Sequence, residues 1–218
     1  MEEYQALLSV FVGFLCIYAL MTIIKTIRSY YVFKASFYTE IYSGFLEFLF
    51  RQKNLKRMST SYWLENELGH HRIMFQITKT SQKDILQPYI LILLSSGLYV
   101  IQLYNETARY IIKDHQIKSI GNENKTHILP DPIDNFKNFQ KHFQDLIGDT
   151  TFPMIFIAAF TDKSQLDIQC QKFPIVLKKD LISTIKTKHE HTQLQLDDED
   201  IERIYHLFIK KTQGNKNR

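Results

Sequence analysis

The sequence predicts an α/β fold, a mixed β-sheet flanked by helices and preceded by one N-terminal transmembrane helix. Three stretches carry that expectation. Tyr4–Ile24 runs for 21 residues without a charge. Tyr89–Asn105 (YILILLSSGLYVIQLYN) is a pair of apolar runs around Ser95, Ser96 and Gly97, the pattern of a buried hairpin. Asp131–Gly148 reads as an amphipathic helix, and the apolar strand Met154–Phe160 (MIFIAAF) follows it closely. Strands interleaved with helices favour a sheet covered by helices.

At 218 residues the chain has room for a membrane segment and one domain of about 150–190 residues. A hydrophobic content of 44% with 13% aromatics supports a packed core and argues against wholesale disorder. Net charge is only +4, a weak pull toward anionic lipid or nucleic acid. The two cysteines, Cys16 and Cys170, offer neither a disulfide framework nor a zinc spacing, which fits a reducing compartment.

At 1.5 Å per residue, Tyr4–Ile24 spans roughly 30 Å, the thickness of a hydrocarbon core. A cleaved signal peptide or a buried core helix are the alternatives. The acidic start (Glu2, Glu3) and the length of the run speak against a signal peptide. Lys25, Arg28 and Lys34 follow the run, so the positive-inside bias puts the N-terminus outside and the remainder in the cytoplasm. The expected organisation is an anchor and juxtamembrane segment over 1–36, a cytoplasmic domain over 37–212 and a tail over 213–218.

Phe37–Gln52 carries Ile41, Phe45, Phe48 and Leu49 at helical spacing. The basic cluster Arg51, Lys53, Lys56 and Arg57 follows, either a solvated helix end or a contact for lipid headgroups or nucleic-acid phosphate. Ile73–Thr78 and Arg109–Lys113 read as strands, and His115–Lys125 as a polar loop. Asp131 and Pro132 open a helix as N-cap and first helical residue, with Phe136, Phe139, Phe143, Leu146 and Ile147 on one face and Gly148 at its end. Ile175–Leu177 is a short strand, and Asp180 is placed to cap a helix. Lys186–Leu196 is expected to be a polar linker, its His189, Glu190 and His191 solvated, since no third metal ligand lies near. Asp197–Lys211 closes the domain as an amphipathic helix with Ile201, Ile204, Tyr205 and Phe208 inward.

Gly97–Asn105 (GLYVIQLYN), Asp131–Asn135 (DPIDN) and Met154–Phe160, in that order, give the chain a resemblance to the nuclease-related (NERD) domain, a branch of the restriction-endonuclease-like PD-(D/E)xK superfamily. The resemblance covers Ile41–Ile185 and, with the closing helix, reaches Phe208. It implies a restriction-endonuclease-like sheet and, in active members, a metal-dependent nuclease. The departures fall on the chemistry. The family's metal-binding Asp aligns with Tyr89, its Glu with Gln102 and its Lys with Tyr104. The Asn of its Asn-Pro-Ile motif is Asp131, its Gln is Asn135, and its early Gly-Glu pair has only Gly44 and Glu47 nearby.

Hydrolysis of this type needs a hard divalent cation held by carboxylates and a cation such as Lys to offset developing charge. A neutral amide at Gln102 and phenols at Tyr89 and Tyr104 supply neither. The expectation is a catalytically inactive protein without cofactor, which binds or scaffolds an unknown protein partner at the bilayer. Two alternatives stand beside it. One is a nucleic-acid-binding module drawing also on Lys137, Lys141, Lys178 and Lys179. The other is a divergent Mg²⁺-dependent nuclease using relocated carboxylates from Asp84, Glu106, Glu47 or Glu65.

Overall fold

The computed structural model describes residues 2–35, 37–54, 57–79, 86–121, 125–148 and 152–214. Helix α1 (Glu2–Ala35) is followed by α2 (Tyr38–Ile41), α3 (Phe45–Gln52) and α4 (Tyr62–Leu68). Six strands come next: β1 (Arg72–Lys79), β2 (Leu86–Leu94), β3 (Gly97–Tyr104), β4 (Arg109–Asp114), β5 (Gln116–Ile120) and β6 (Thr126–Ile128). Then come α5 (Pro132–Ile147), β7 (Met154–Phe160), β8 (Gln165–Gln171), β9 (Ile175–Leu177), α6 (Leu181–His191) and α7 (Asp198–Gly214). The result is a mixed α/β architecture with two mixed sheets flanked by helices, where the sequence suggested one sheet.

Within α1, Val10–Lys34 is long and apolar enough to cross a membrane, and its most apolar 18-residue stretch is not buried against the rest of the chain. Thr22 and Thr26 donate their hydroxyls to the Tyr18 and Thr22 carbonyls at 2.9 and 2.8 Å, which satisfies them without water. The last turn behaves differently. Phe33 is buried, with its ring 5.8 Å from that of Phe45 and 5.4 Å from that of Phe48.

The helix expected across 37–52 breaks in two. Tyr42 is extended (φ −109°, ψ 144°), which delivers its ring to the core and lets its hydroxyl donate to the Met58 carbonyl at 2.9 Å. That buried anchor outweighs helical continuity.

The larger sheet has the order β1-β2-β3-β7-β9, with β1, β2 and β3 antiparallel and β7 parallel to β3. One face packs Leu91, Leu93, Leu98 and Val100 against Phe139 and Phe143 of α5 and Ile201, Ile204 and Phe208 of α7. The other packs Ile90, Ile92, Tyr99 and Ile101 against the end of α1 and against α3, α4 and α6. Both faces are dry, so β2 and β3 read as continuous apolar runs rather than alternating ones. The β2–β3 turn sits against the segment entering β7. Gly97 has φ +132°, and a Cβ there would lie 2.3 Å from the Pro153 carbonyl oxygen.

The second sheet has the order β6-β5-β4-β8. It corrects two expectations. The supposed loop 115–125 holds β5 and leads to β6, and β8 was not foreseen. Only one side of this sheet is covered: Tyr110, Ile112 and Ile117 face the core while Arg109, Lys113 and Gln116 face out. Sparse inward apolar residues at period two hide such strands in a polar sequence. Asp114, at φ 58°, supplies the left-handed residue of the tight β4–β5 turn.

At the N-terminus of α5, Asp131 Oδ1 accepts from the Ile133 and Asp134 amides at 2.8 and 3.4 Å. By contrast Asp180 makes no side-chain cap on α6; its carbonyl accepts the Ser183 and Thr184 hydroxyls instead. Helix α6 continues to His191, through the first half of the expected linker.

Candidate functional site

The sheet register places the positions singled out by the sequence side by side. Tyr89 on β2 pairs directly with Gln102 on β3. Tyr104 lies two residues further along β3, on the same face because side chains alternate along a strand. Opposite them is α5, whose first turn carries Asn135. All four are buried: Tyr89 is 1% exposed, Gln102 2%, Tyr104 9% and Asn135 6%.

Aromatic rings fill the space between. The Tyr89 ring lies 5.3 Å from that of Phe139 on α5. Tyr104 stacks flat on Phe160 of β7, with centroids 4.5 Å apart and planes 8° apart, and Tyr110 of β4 packs 4.6 Å from the same Phe160 ring. Burial pushes the Tyr104 phenol far above its ordinary value, with Tyr89, Tyr110 and Asp131 acting in the same direction. Burial and Glu106 push Tyr110 up to about 12. A phenol so held stays protonated at neutral pH and cannot serve as base or nucleophile.

The Gln102 amide is close enough to Tyr104 to temper that shift, yet neither Gln102 Oε1 nor the Tyr104 hydroxyl has a hydrogen bond of acceptable geometry among the described residues. Buried polar atoms in that condition cost on the order of 1–3 kcal/mol each.

Asp131 is the carboxylate whose field reaches Tyr104, and it is already engaged. One oxygen caps α5 and the other lies 3.0 Å from His115 Nε2. A hollow of about 380 Å³ outside this helix end is bordered by His115, Asp131, Asp134, Lys137 and Lys172.

Among the described residues, the candidate relocated carboxylates do not converge there. Glu106 is exposed, and its backbone carbonyl accepts from the Tyr110 and Ser164 hydroxyls. Glu47 is bound by the Ser43 amide and hydroxyl, by Arg51 Nε and by the Tyr62 amide. Burial works against its charge, but these bonds more than offset it and hold its carboxyl below the usual value. Glu65 is exposed and borders a separate hollow. Asp84 lies outside the described residues. Among the described residues no three His, Cys, Asp or Glu side chains group as metal ligands.

The basic cluster divides. Arg51 is buried, and its guanidinium is taken up within the protein. It binds Glu47 Oε1 at 2.8 Å and the Arg57 carbonyl and Thr60 hydroxyl at 2.7 Å each, and it lies 4.4 Å from the centre of the Tyr62 ring. It therefore knits α3 to α4 instead of offering a phosphate contact. Lys53 and Arg57 are exposed, and Lys56 lies outside the described residues.

One cluster went unforeseen. His189 Nδ1 lies 2.7 Å from Ser96 Oγ, which lies 3.0 Å from the Tyr99 hydroxyl. Ser96 is fully buried, so no substrate reaches it, and the chain of bonds ties the β2–β3 turn to α6. The Ser-Ser-Gly turn and the histidine were visible in the sequence, but their pairing across 93 residues was not.

No family model matches the sequence, and neither the curated proteins nor the solved structures give a match.

Proposed function

We propose that the chain is a membrane-anchored, catalytically inactive nuclease-related protein with a restriction-endonuclease-like domain that binds or scaffolds a protein partner at the cytoplasmic face. The observation that carries this reading is the filled site. The three positions aligned with the nuclease Asp, Glu and Lys share one sheet face opposite α5, and they hold Tyr89, Gln102 and Tyr104, buried from solvent, with the Tyr89 and Tyr104 rings packed on Phe139 and Phe160. The order of parts is consistent with the resemblance: an antiparallel hairpin, a helix opening at Asp131-Pro132, then a strand parallel to β3. The apolar α1 supports the anchor, and the acidic start with basic residues after the apolar run supports an outside N-terminus.

The test is incubation of the purified full chain in detergent with single- and double-stranded DNA and RNA and Mg²⁺. The expected result is no cleavage. Cleavage abolished by EDTA would overturn the reading. A mobility shift that weakens steeply with salt, without cleavage, would make nucleic acid the partner.

A further inference from the structure

We propose that the exposed side of α3 and the start of α4 form a contact face for an anionic phospholipid surface, holding the domain down on the bilayer that α1 enters. The inference rests on the membrane-anchor reading above and adds a second, peripheral attachment to it.

Helix α3 is amphipathic in an unusual sense. Phe48 and Arg51 are buried in the domain. The opposite stripe, at positions i, i+4 and i+7, is Leu46, Phe50 and Lys53, all exposed. Leu46 is 67% and Phe50 63% exposed, and Tyr62 at the start of α4 is 69% exposed. Outside α1, five described large apolar residues reach exposures of 63% or more: these three, Ile128 and Leu194. Three of the five therefore gather in one place. Phe50, Tyr62 and Arg57 also border a common hollow of about 530 Å³, together with Glu47, Arg51, Thr60 and Glu65.

The position of the patch indicates what covers it. Phe45 of α3 packs 5.3 Å from Tyr30 and 5.8 Å from Phe33 on α1. Tyr30 comes six residues after Ile24, the end of the uncharged run, about 9 Å along a helix axis. Headgroups add roughly 5–8 Å to each side of a hydrocarbon core, so Tyr30 stands at the outer edge of the headgroup layer and α3, packed beside it, is held within side-chain reach of that layer. From there large apolar side chains extend into the headgroup region while basic ones meet the lipid phosphates.

Charge agrees with this. Lys25, Arg28 and Lys34 on α1 and Lys53 and Arg57 beside the patch are exposed. Glu47 is neutralised by Arg51, which leaves Glu65 as the exposed carboxylate on the hollow. The surplus is positive and suits an anionic leaflet.

Depth-dependent quenching of a fluorescent thiol label on the full chain tests this, in vesicles of phosphatidylglycerol and phosphatidylethanolamine. A label on native Cys16, in the Cys170→Ser protein, reports insertion of α1 through an acyl-chain nitroxide lipid. In the Cys16→Ser, Cys170→Ser background, labels at Phe50→Cys and Ile128→Cys report proximity to a headgroup nitroxide. The expected result is a quenched Cys16 label and several-fold stronger quenching at position 50 than at 128. That difference should shrink when phosphatidylglycerol is replaced by phosphatidylcholine. Equal quenching at 50 and 128 with a quenched Cys16 label would overturn the contact face and leave the anchor standing. An unquenched Cys16 label would overturn the anchor and this proposal with it. Protection at position 50 that rises with protein-to-lipid ratio would assign the face to a second copy of the chain instead.

Discussion

The Tyr104 ring lies flat on Phe160, with planes 8° apart, while its hydroxyl finds no hydrogen bond among the described residues. The ring and the hydroxyl therefore act in opposite senses. Tyr104→Phe keeps the stack and removes a poorly satisfied polar atom, so stability should be unchanged or rise by about 1 kcal/mol. Tyr104→Ala should cost about 3–5 kcal/mol through the cavity it opens. Tyr110→Phe is the control: its hydroxyl donates to the Glu106 carbonyl at 2.9 Å, and losing that bond should cost about 1 kcal/mol. Urea unfolding of the detergent-solubilised chain, followed by the fluorescence of its single tryptophan, Trp63, reads all three.

Arg51 and Lys53 stand two residues apart and should respond oppositely to truncation. Arg51→Ala takes the cation from half-buried Glu47 and removes the bonds to the Arg57 carbonyl and Thr60 hydroxyl, and is expected to cost about 1–3 kcal/mol. Lys53→Ala, on the exposed side of α3, should stay within about 0.5 kcal/mol. Equal effects in urea unfolding would mean that the Arg51–Glu47 pair does not hold α3 to α4.

Gly97→Ala meets both a left-handed backbone and the Pro153 carbonyl 2.3 Å from the new Cβ. Because that obstacle is backbone, relief requires moving β3 from β7 at their junction. Such strain costs on the order of 1–3 kcal/mol or more. The loss should appear as a lowered urea midpoint with an unchanged slope.

Acid should weaken the fold in two steps. His71 Nε2 accepts the Ser61 amide, so Nδ1 carries the proton and donates to the Gly69 carbonyl, pinning both ends of α4. Burial lowers its pKa below 6.5. The unfolded chain then takes up the proton first, and this stability is present above pH 6.5 and lost as pH falls below it. Glu202 acts lower. Burial opposes its charge, but Arg72 and His70 outweigh burial and hold the carboxyl below 4.5. Its contribution is present above pH 4.5 and lost as pH falls through the lowered value. Stability measured against pH should lose the upper step in His71→Gln and the lower one in Glu202→Gln.

The parts legible in the sequence were those with strong punctuation or a dry environment. Asp131-Pro132 and Gly148 bracket α5, and β2, β3 and β7 announce themselves as apolar runs because both sheet faces are covered. What stayed hidden was decided by distant partners. Helix α4 owes its place to Arg51 and His71, β5 and β8 to a sheet with one dry side, and the end of α6 to Ser96. Arg51 shows the limit most clearly. In sequence it belongs with Lys53 and Arg57, and only the fold separates a guanidinium spent inside from cations facing water.

Phe33 belongs to α1 by sequence and to the domain by packing: its ring is buried between Phe45 and Phe48 while the helix that bears it runs unbroken back to Glu2. The apolar helix is thus a mast stepped into the hull, not a rope tied to it. Any tilt or rotation of that mast must carry the sheet with it, without slack to absorb the motion.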